Sequence, residues 1–126
     1  MAIVPVLKCR HMDVALAFYT SVLDFAVVGG DDRSEDPAYR VLARRGDHLI
    51  LSSHGGDGRP GQAIVVTSDD VDRDWREFRA RGLRPAKPEG ESPVHAGPVE
   101  QTWGTRELYV DDPDGNTLRF TQRWLE

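Results

Sequence analysis

The side chains most able to bind a transition metal are the four histidines, His11, His48, His54 and His95. A site built from histidines commonly places two of them on one face of an element, for example four residues apart on a helix. These four lie in presumed turns, loops and one strand, and no pair has that spacing. The sequence therefore predicts no histidine-based metal site, a turn position for His11 and exposed or loop positions for the others.

Asp111, Asp112 and Asp114 form a group of acids, and clustered carboxylates are ligands that calcium prefers. The segment is shorter than an EF-hand loop of about 12 residues and lacks the closing Glu of that loop. Pro113 and Gly115 stand among the acids. Proline presets φ for a turn and glycine tolerates positive φ. The pattern predicts the turn of a β-hairpin.

Glu107 and Arg119 are the pair of groups that could serve as acid and base. A lyase or isomerase working without a metal needs such groups positioned on its substrate. The same two side chains can instead form an ion pair between neighbouring strands. No Gly-x-Ser-x-Gly elbow occurs, and the glycine-rich segment 55–61 lacks the Lys-Ser/Thr ending of a phosphate-binding loop. No catalytic residue is assigned, and a binding protein is favoured over an enzyme.

Trp103, which stands beside Gly104, is the main candidate for contact with a flat ligand. A tryptophan with an adjacent glycine is also typical of a core, where the glycine packs against the ring. Tyr109 has the same two interpretations, packing or ligand contact. The residues alone leave these alternatives open.

Composition excludes several classes of protein. With 126 residues, 39% hydrophobic and 29% charged, the chain predicts one soluble domain with a true core. The formal net charge of -5 argues against nucleic-acid binding and suits either a cationic small molecule or simple solubility. No apolar run reaches the roughly 20 residues that span a bilayer, and no signal peptide is visible. Cys9 is the single cysteine and is expected to be an inert buried thiol, so a cytoplasmic location is predicted.

These side chains must be positioned by strands and helices that the spacing of apolar residues predicts. In the first half, Met12, Ala15 and Tyr19 recur at helical spacing. Pro5 cannot donate to a β-ladder, so the first strand either lies at a sheet edge or leaves that position unpaired. The predicted elements are a strand at 2–9, a helix at 13–23, a strand at 25–28, a loop at 29–37, and strands at 39–43 and 48–53.

The second half repeats this order. Val71, Trp75 and Phe78 lie on one face of a predicted helix, and Gly82 ends it. The predicted elements are a strand at 63–67, a helix at 70–81, a short strand at 83–86, a loop at 87–98 with a strand near Val94, and a hairpin with strands at 106–110 and 117–120. The chain is therefore an internal duplication of a βαβββ module, with modules at 1–54 and 62–126 and a linker at 55–61.

Two segments carry a family resemblance. Residues 103–105 (WGT), 112–116 (DPDGN) and 118–120 (LRF) resemble the closing hairpin of the glyoxalase/bleomycin resistance/dioxygenase superfamily. Residues 8–25, with FYTSVLDF at their end, resemble the opening strand-to-helix segment of that superfamily. The resemblance covers nearly the whole chain. It implies an α+β fold in which two βαβββ modules form curved mixed sheets around a cleft, and pairing of modules within a chain or across a homodimer.

Metal-dependent members of this superfamily carry a His, Gln or Glu on the first strand of each module and a Glu on the last. The matching positions here are Val4, Leu51, Ala63 and Arg119. None of these side chains ligates a metal, and a guanidinium would repel one. The resemblance therefore implies a protein without a metal or another cofactor.

This loss of metal positions is similar to the bleomycin resistance branch, where a Trp-Gly motif lines the ligand groove. The resemblance implies a homodimer that sequesters a flat, cationic, glycopeptide-type antibiotic such as bleomycin without turnover. The acids Asp31, Asp32, Glu35 and Asp36 either attract a cationic tail or form a solvated loop. A lyase, isomerase or oxygenase of the same superfamily, or a binder of another small molecule, remains the alternative. The predicted ligand-binding residues are Tyr39, Leu51, Ser53, Trp103, Glu107, Tyr109 and Arg119.

Overall fold

The structure is a computed structural model that describes residues 2–123. Its internal contacts divide the chain into two compact units. The first contains the chain up to Gln62 together with Asp112–Asn116, and the second contains Ala63–Asp111 and the chain from Thr117 onward. The last three residues of the predicted module 62–126 lie outside the described part. No helix among the described residues has the length and apolar character needed to cross a membrane.

The first unit contains a four-stranded mixed sheet with strand order β1-β4-β3-β2. β1 is parallel to β4, and the other neighbours are antiparallel. β1 is an edge strand, the first of the two arrangements that Pro5 predicted, and the Pro5 carbonyl accepts a hydrogen bond from the Ile50 N–H. The elements are β1 (Val6–Lys8), α1 (Met12–Ala17) with a following π-helical turn (Phe18–Val22), β2 (Ala26–Gly30), β3 (Tyr39–Arg44) and β4 (Asp47–Ser52).

The helix predicted at 13–23 is present, but its second half is widened. Met12, Ala15, Tyr19 and Leu23 are buried, as the apolar stripe predicted. The Leu23 N–H donates to the Phe18 carbonyl five residues earlier, at 3.3 Å, which is the bond of a π-helical turn. The apolar side chains of one sheet face join this stripe in the core, namely Leu7, Leu42, Leu49 and Leu51.

The turn Asp112–Asn116 forms a buried hydrogen-bond network with other residues of the first unit. The Asp112 carboxylate accepts hydrogen bonds from the Tyr19 hydroxyl at 2.7 Å and the Asn116 side-chain amide at 2.9 Å. The Asn116 amide nitrogen also donates to the Lys8 carbonyl, and its oxygen accepts from the backbone N–H of Gln62. Burial, the strongest effect, raises the pKa of the Asp112 carboxyl. The sequence predicted this turn, although not its use as a buried network.

Cys9 lies beside this turn and is fully buried. Burial, followed by the negative charges of Asp114, Asp36 and Asp112, raises the pKa of its thiol to about 12. A thiol that keeps its proton is a poor nucleophile and metal ligand. This agrees with the expected inert thiol.

The second unit contains another four-stranded mixed sheet, with strand order β5-β8-β7-β6. β5 is parallel to β8, while β7 is antiparallel to both β6 and β8. The two sheets with their helices confirm the predicted α+β fold of two modules. The elements are β5 (Ala63–Thr67), α2 (Val71–Ala80), α3 (Pro93–Ala96), β6 (Val99–Glu100), β7 (Thr105–Asp111) and β8 (Thr117–Arg123).

Helix α2 covers one face of this sheet. Asp70 caps its first turn by accepting from the Arg73 N–H at 3.0 Å, and Gly82 ends it with φ 102°. Val71 and Phe78 are fully buried, and the Phe78 ring lies 5.1 Å from that of Phe120 on β8. The helix predicted at 70–81 is therefore confirmed.

Two predicted strands in the segment after α2 are wrong. Residues 83–86 form no strand, because the Leu83 N–H donates to the Phe78 carbonyl and closes the helix end instead. The strand predicted near Val94 is the short helix α3, in which Pro93 occupies the first turn after Ser92. Proline at this position has the fixed φ that a helix start requires.

Candidate functional site

The sheet of the second unit has one apolar face and one polar face. Leu108 and Val110 on β7 and Leu118 and Phe120 on β8 point toward α2 and are buried. Successive side chains of a strand alternate between faces, so the residues between them point the other way. We call this other surface the polar sheet face; its members are Thr105, Glu107, Tyr109, Asp111, Thr117, Arg119, Thr121 and Arg123.

Trp103 stands at the entry to β7, on a tight turn. The Gln101 N–H donates to the Thr105 carbonyl at 2.7 Å, and Gly104 between them has φ 90°. Glycine adopts this backbone conformation without the steric cost that a Cβ atom brings. The turn leaves the Trp103 side chain 67% exposed while its Nε1–H donates to Glu107 Oε2 at 2.9 Å. Trp103 is therefore a surface residue whose ring is held at its Nε1–H edge by a hydrogen bond. The alternative prediction, that Trp103 packs in the core, is wrong.

Glu107 is the anchor of this arrangement. It is only 6% exposed, and the oxygen that accepts from Trp103 also accepts from the Thr105 hydroxyl at 2.6 Å. The carboxylate is also hydrogen-bonded to Tyr109. Glu107 faces Thr121 in the strand register, and Arg119 faces Tyr109. The ion pair considered between Glu107 and Arg119 is therefore not formed. The carboxylate instead accepts hydrogen bonds from side chains of β7 and of the turn before it.

Tyr109 and Arg119 form a stacked pair at the middle of the polar sheet face. The guanidinium carbon of Arg119 lies 5.0 Å from the centre of the Tyr109 ring, within the range of a cation–π contact. Burial, followed by the negative charge of Glu107, raises the pKa of the Tyr109 hydroxyl. Tyr109 is half-buried and Arg119 is exposed, so the part of this pair that a ligand can reach is the guanidinium.

His95 on α3 completes the cluster, and the exposed or loop position predicted for it is wrong. It is 7% exposed, and its ring lies edge-on to that of Tyr109 at 5.7 Å. Its Nδ1 is 2.7 Å from Ser92 Oγ, and its Nε2 is 2.9 Å from Asp111 Oδ1. A carboxylate only accepts, so Nε2 carries the hydrogen and donates it. The Ser-Pro pair at 92–93, a helix-start signal, was the feature that could have indicated this ordered segment.

The other predicted ligand residues lie in the first unit. Tyr39 begins β3 and is exposed. Leu51 is fully buried in the core of that unit, which does not fit the predicted contact with a ligand. The Ser53 hydroxyl accepts from the Ala38 N–H at 2.8 Å and donates to Asp36 at 2.6 Å. These side chains and the polar sheet face belong to different units.

The acids of the loop before β3 divide into two kinds. Asp31 accepts from the N–H groups of Arg33 and Tyr39 and from the guanidinium of Arg40. Asp36 binds Ser53 and the Met12 N–H, and the hydrogen bond from Ser53 keeps the pKa of the Asp36 carboxyl below its ordinary value. Both carboxylates therefore hold the loop in place. Asp32 and Glu35 are exposed, as the solvated-loop interpretation predicted.

The residues at the positions that bind a metal in metal-dependent members of the resembled superfamily do not fit a metal ion here. Val4, Leu51, Ala63 and Arg119 offer no ligand atoms at the matching positions. Within residues 2–123, no three or more His, Cys, Asp or Glu side chains converge on a point where a metal ion could sit.

Comparison with known proteins agrees with this fold. The family model described as the Glyoxalase/Bleomycin resistance protein/Dioxygenase superfamily matches residues 4–120. No protein with a curated description matches the sequence. Among solved structures, a bleomycin-binding protein complexed with bleomycin is 23% identical with a TM-score of 0.74, and the match covers 98% of both chains.

Two further solved structures are similar. A bleomycin resistance determinant encoded on the transposon Tn5 is 24% identical with a TM-score of 0.75, over 99% of both chains. TnmS3, an antibiotic binding protein from Streptomyces sp. CB03234, is 21% identical with a TM-score of 0.69, over 98% of this chain and 97% of that one. At these identities the likeness shows the fold, and the family match extends over most of the sequence. The chain therefore belongs to the glyoxalase/bleomycin resistance protein/dioxygenase superfamily.

Proposed function

We propose that this protein is a metal-independent binding protein that sequesters a flat antibiotic such as bleomycin without turnover. The observation that carries the proposal is Trp103, whose ring is mostly exposed while its edge is fixed by a hydrogen bond to Glu107. A ring held in this way is a platform on which a flat heteroaromatic group can stack. Each stacked pair contributes on the order of 0.5–1.5 kcal/mol beyond burial.

The side chains around Trp103 favour binding over catalysis. A general base must have a free acceptor within reach of the substrate proton. Glu107 Oε2 already accepts from Trp103 and Thr105, and the His95 side chain is only 7% exposed. Three similar solved structures carry names that describe antibiotic binding or resistance, which supports the same direction.

The proposal includes a homodimer. Several large apolar side chains of the first unit are exposed, and exposed apolar groups commonly mark an interaction surface. A second copy of the chain would cover them and bring the Tyr39 ring to the ligand. The proposal also places the protein in the cytoplasm, where a single buried thiol is at no disadvantage. The exposed side chains are Ile3, Val4, Val6, Val27, Val28 and Tyr39.

The test is a tryptophan-fluorescence titration of purified protein with bleomycin, both metal-free and copper-bound. We expect saturable quenching at one ligand per chain. Trp103→Ala should weaken binding about tenfold, which is the loss of one stacking contact together with its burial. Trp75→Phe is the matched control, because the Trp75 ring packs against Gly97 and Arg79. Unchanged affinity in Trp103→Ala would refute the stacking role.

Two accompanying measurements address the rest of the proposal. Sedimentation velocity should show a dimer, and a monomer at micromolar concentration would refute the proposed homodimer. Elemental analysis of the purified protein tests the enzymatic alternative. Stoichiometric Zn, Mn, Ni or Fe would favour a lyase, isomerase or oxygenase of the superfamily over sequestration.

A further inference from the structure

The exposed charged side chains of the polar sheet face are positive, although the chain as a whole has a formal net charge of -5. Arg119 is exposed, and its guanidinium lies over the Tyr109 ring. Among the residues that the structure describes, Arg119 has no ion-pair partner. A guanidinium stacked on a ring keeps its N–H donors in its own plane, where they remain available to an acceptor.

The acids on the same face each have one carboxylate oxygen engaged in hydrogen bonds. Glu107 Oε2 accepts from Trp103 and Thr105. Asp111 Oδ1 accepts from the Thr117 hydroxyl at 2.7 Å and from His95. An anionic group would meet unoccupied donors on Arg119.

The cross-strand neighbours of Arg119 carry no negative charge. In the strand register it lies between Tyr109 on β7 and Val65 on β5. A charge-assisted hydrogen bond from its guanidinium to an anion is about twice as strong as a neutral one. The repulsion between an anion and the distant acids of the chain is screened over about 8 Å at physiological ionic strength. Local contact therefore outweighs the overall charge.

We infer that the ligand of the polar sheet face is an aromatic acid, whose ring stacks on Trp103 and whose carboxylate is bound by the paired N–H donors of Arg119. Trp103 is hydrogen-bonded to Glu107, and Arg119 lies opposite Tyr109, two residues further along β7. This inference rests on the ligand-binding function proposed above, and it assigns an anionic ligand in place of the cationic antibiotic class.

The test uses a matched pair of probes, anthracene-2-carboxylate and the uncharged anthracene-2-carboxamide, with binding followed by the fluorescence anisotropy of the probe. The wild-type chain should bind the carboxylate about tenfold more tightly than the carboxamide, as expected for a charge-assisted bidentate contact. Arg119→Gln should remove this preference, whereas Arg119→Lys should retain part of it. Arg84→Gln makes the same charge change at an exposed loop position and should leave the preference intact.

Each outcome separates this inference from the proposed function. Equal binding of the two probes by the wild-type chain, no binding of the carboxylate, or a preference that survives Arg119→Gln would overturn the inference. If bleomycin still binds in a Trp103-dependent way under those results, sequestration stands and only the acid assignment fails. If the carboxylate preference is found and bleomycin causes no response, the antibiotic assignment fails and the acid site stands. Circular dichroism of each variant checks that the fold is retained.

Discussion

Asp112 in the first unit and Glu107 in the second are both buried carboxylates, but their hydrogen-bond donors differ in one respect. Asp112 accepts from the Tyr19 hydroxyl, from the Asn116 side chain and from the backbone N–H groups of Asp114 and Asn116. Tyr19 and Asn116 are themselves fully buried. Every polar atom of this network is therefore directed inward, and the network closes the turn onto the core of its unit.

Glu107 is equally buried, but one of its donors is the exposed ring of Trp103. Its neighbour Tyr109 is covered on one side by an exposed guanidinium. The second network therefore ends at the surface, with a flat ring and a set of N–H donors left open. The difference teaches that burial of a charged group does not by itself identify a functional site. What distinguishes the two networks is whether the donors around the carboxylate are accessible to a ligand.

The largest effect should come from removing the centre of the closed network. Asp112→Ala leaves the buried donors of Tyr19 and Asn116 without an acceptor, and each such group costs about 1–3 kcal/mol. We expect the free energy of unfolding to fall by about 3 kcal/mol or more, measured by urea denaturation. Asp32→Ala, at an exposed loop position, is the control and should change it by less than about 0.5 kcal/mol. A loss below about 1 kcal/mol for Asp112→Ala would contradict the closed-network assignment.

A milder comparison removes one hydroxyl from each network. Tyr19→Phe deletes a 2.7 Å bond inside the core and should lower the free energy of unfolding by about 1–1.5 kcal/mol. Tyr109→Phe deletes a hydroxyl beside Glu107 in a half-buried position, where water can replace it, and should cost about 0.5 kcal/mol or less. Urea denaturation of both variants gives the two values. If Tyr109→Phe proved the more costly, the two networks would not differ in the way described.

The third effect is local and concerns the orientation of Trp103. Glu107→Gln keeps the shape of the side chain but removes its charge, and hydrogen bonds to charged groups are about twice as strong as neutral ones. The Nε1–H of Trp103 should therefore exchange with solvent faster, as measured by NMR, and ligand affinity should fall several-fold. The indole N–H of Trp75 is an internal reference, because that ring lies on α2. Unchanged exchange at Trp103 would show that Glu107 does not fix the ring.

The elements that position both networks were largely predictable. The strand at 63–67 is observed with the same bounds, because turn residues flank a short β-branched run. The π-helical turn after Ala17 was not predictable, since an apolar stripe at helical spacing does not specify which carbonyl each N–H reaches. In the segment 83–98, short apolar stretches were taken as strands at 83–86 and near Val94, while Leu83 in fact closes α2 and Pro93 starts a helix.

The candidate site was predictable in its membership more than in its contacts. Trp103, Glu107, Tyr109 and Arg119 were all selected from the sequence, and the structure places them on or beside one sheet face. The stacking of Arg119 on Tyr109 depends on the register of β7 and β8, which the length of the intervening turn sets. The burial of His95 depends on the path of the segment before β6. Residue type alone specifies neither the strand register nor the path of that segment. For this reason an ion pair between Glu107 and Arg119 was considered, whereas the structure has Arg119 stacked on Tyr109.

The smallest effect separates the two tyrosines by their ionisation. Burial is the main cause that raises the pKa of both hydroxyls, with the negative charge of Asp112 added for Tyr19 and that of Glu107 for Tyr109. The pKa of Tyr19, which is fully buried, lies well above the ordinary value of 10.0, and that of the half-buried Tyr109 is also raised. Tyr109 should therefore lose its proton before Tyr19 in an alkaline titration followed by NMR of labelled tyrosine. Glu107→Gln should lower the pKa of Tyr109 and leave that of Tyr19 unchanged.

The sign of the effect on stability follows from the same shifts. A hydroxyl whose folded pKa exceeds its unfolded pKa stabilises the fold fully below the unfolded value, about 10. That contribution is lost as the pH rises through the folded pKa, because the unfolded chain then releases the proton more readily. The free energy of unfolding should therefore decline above about pH 10, and the decline should be shallower in Tyr19→Phe than in Tyr109→Phe. A steeper dependence on Tyr109 would mean that the surface network is the more enclosed of the two.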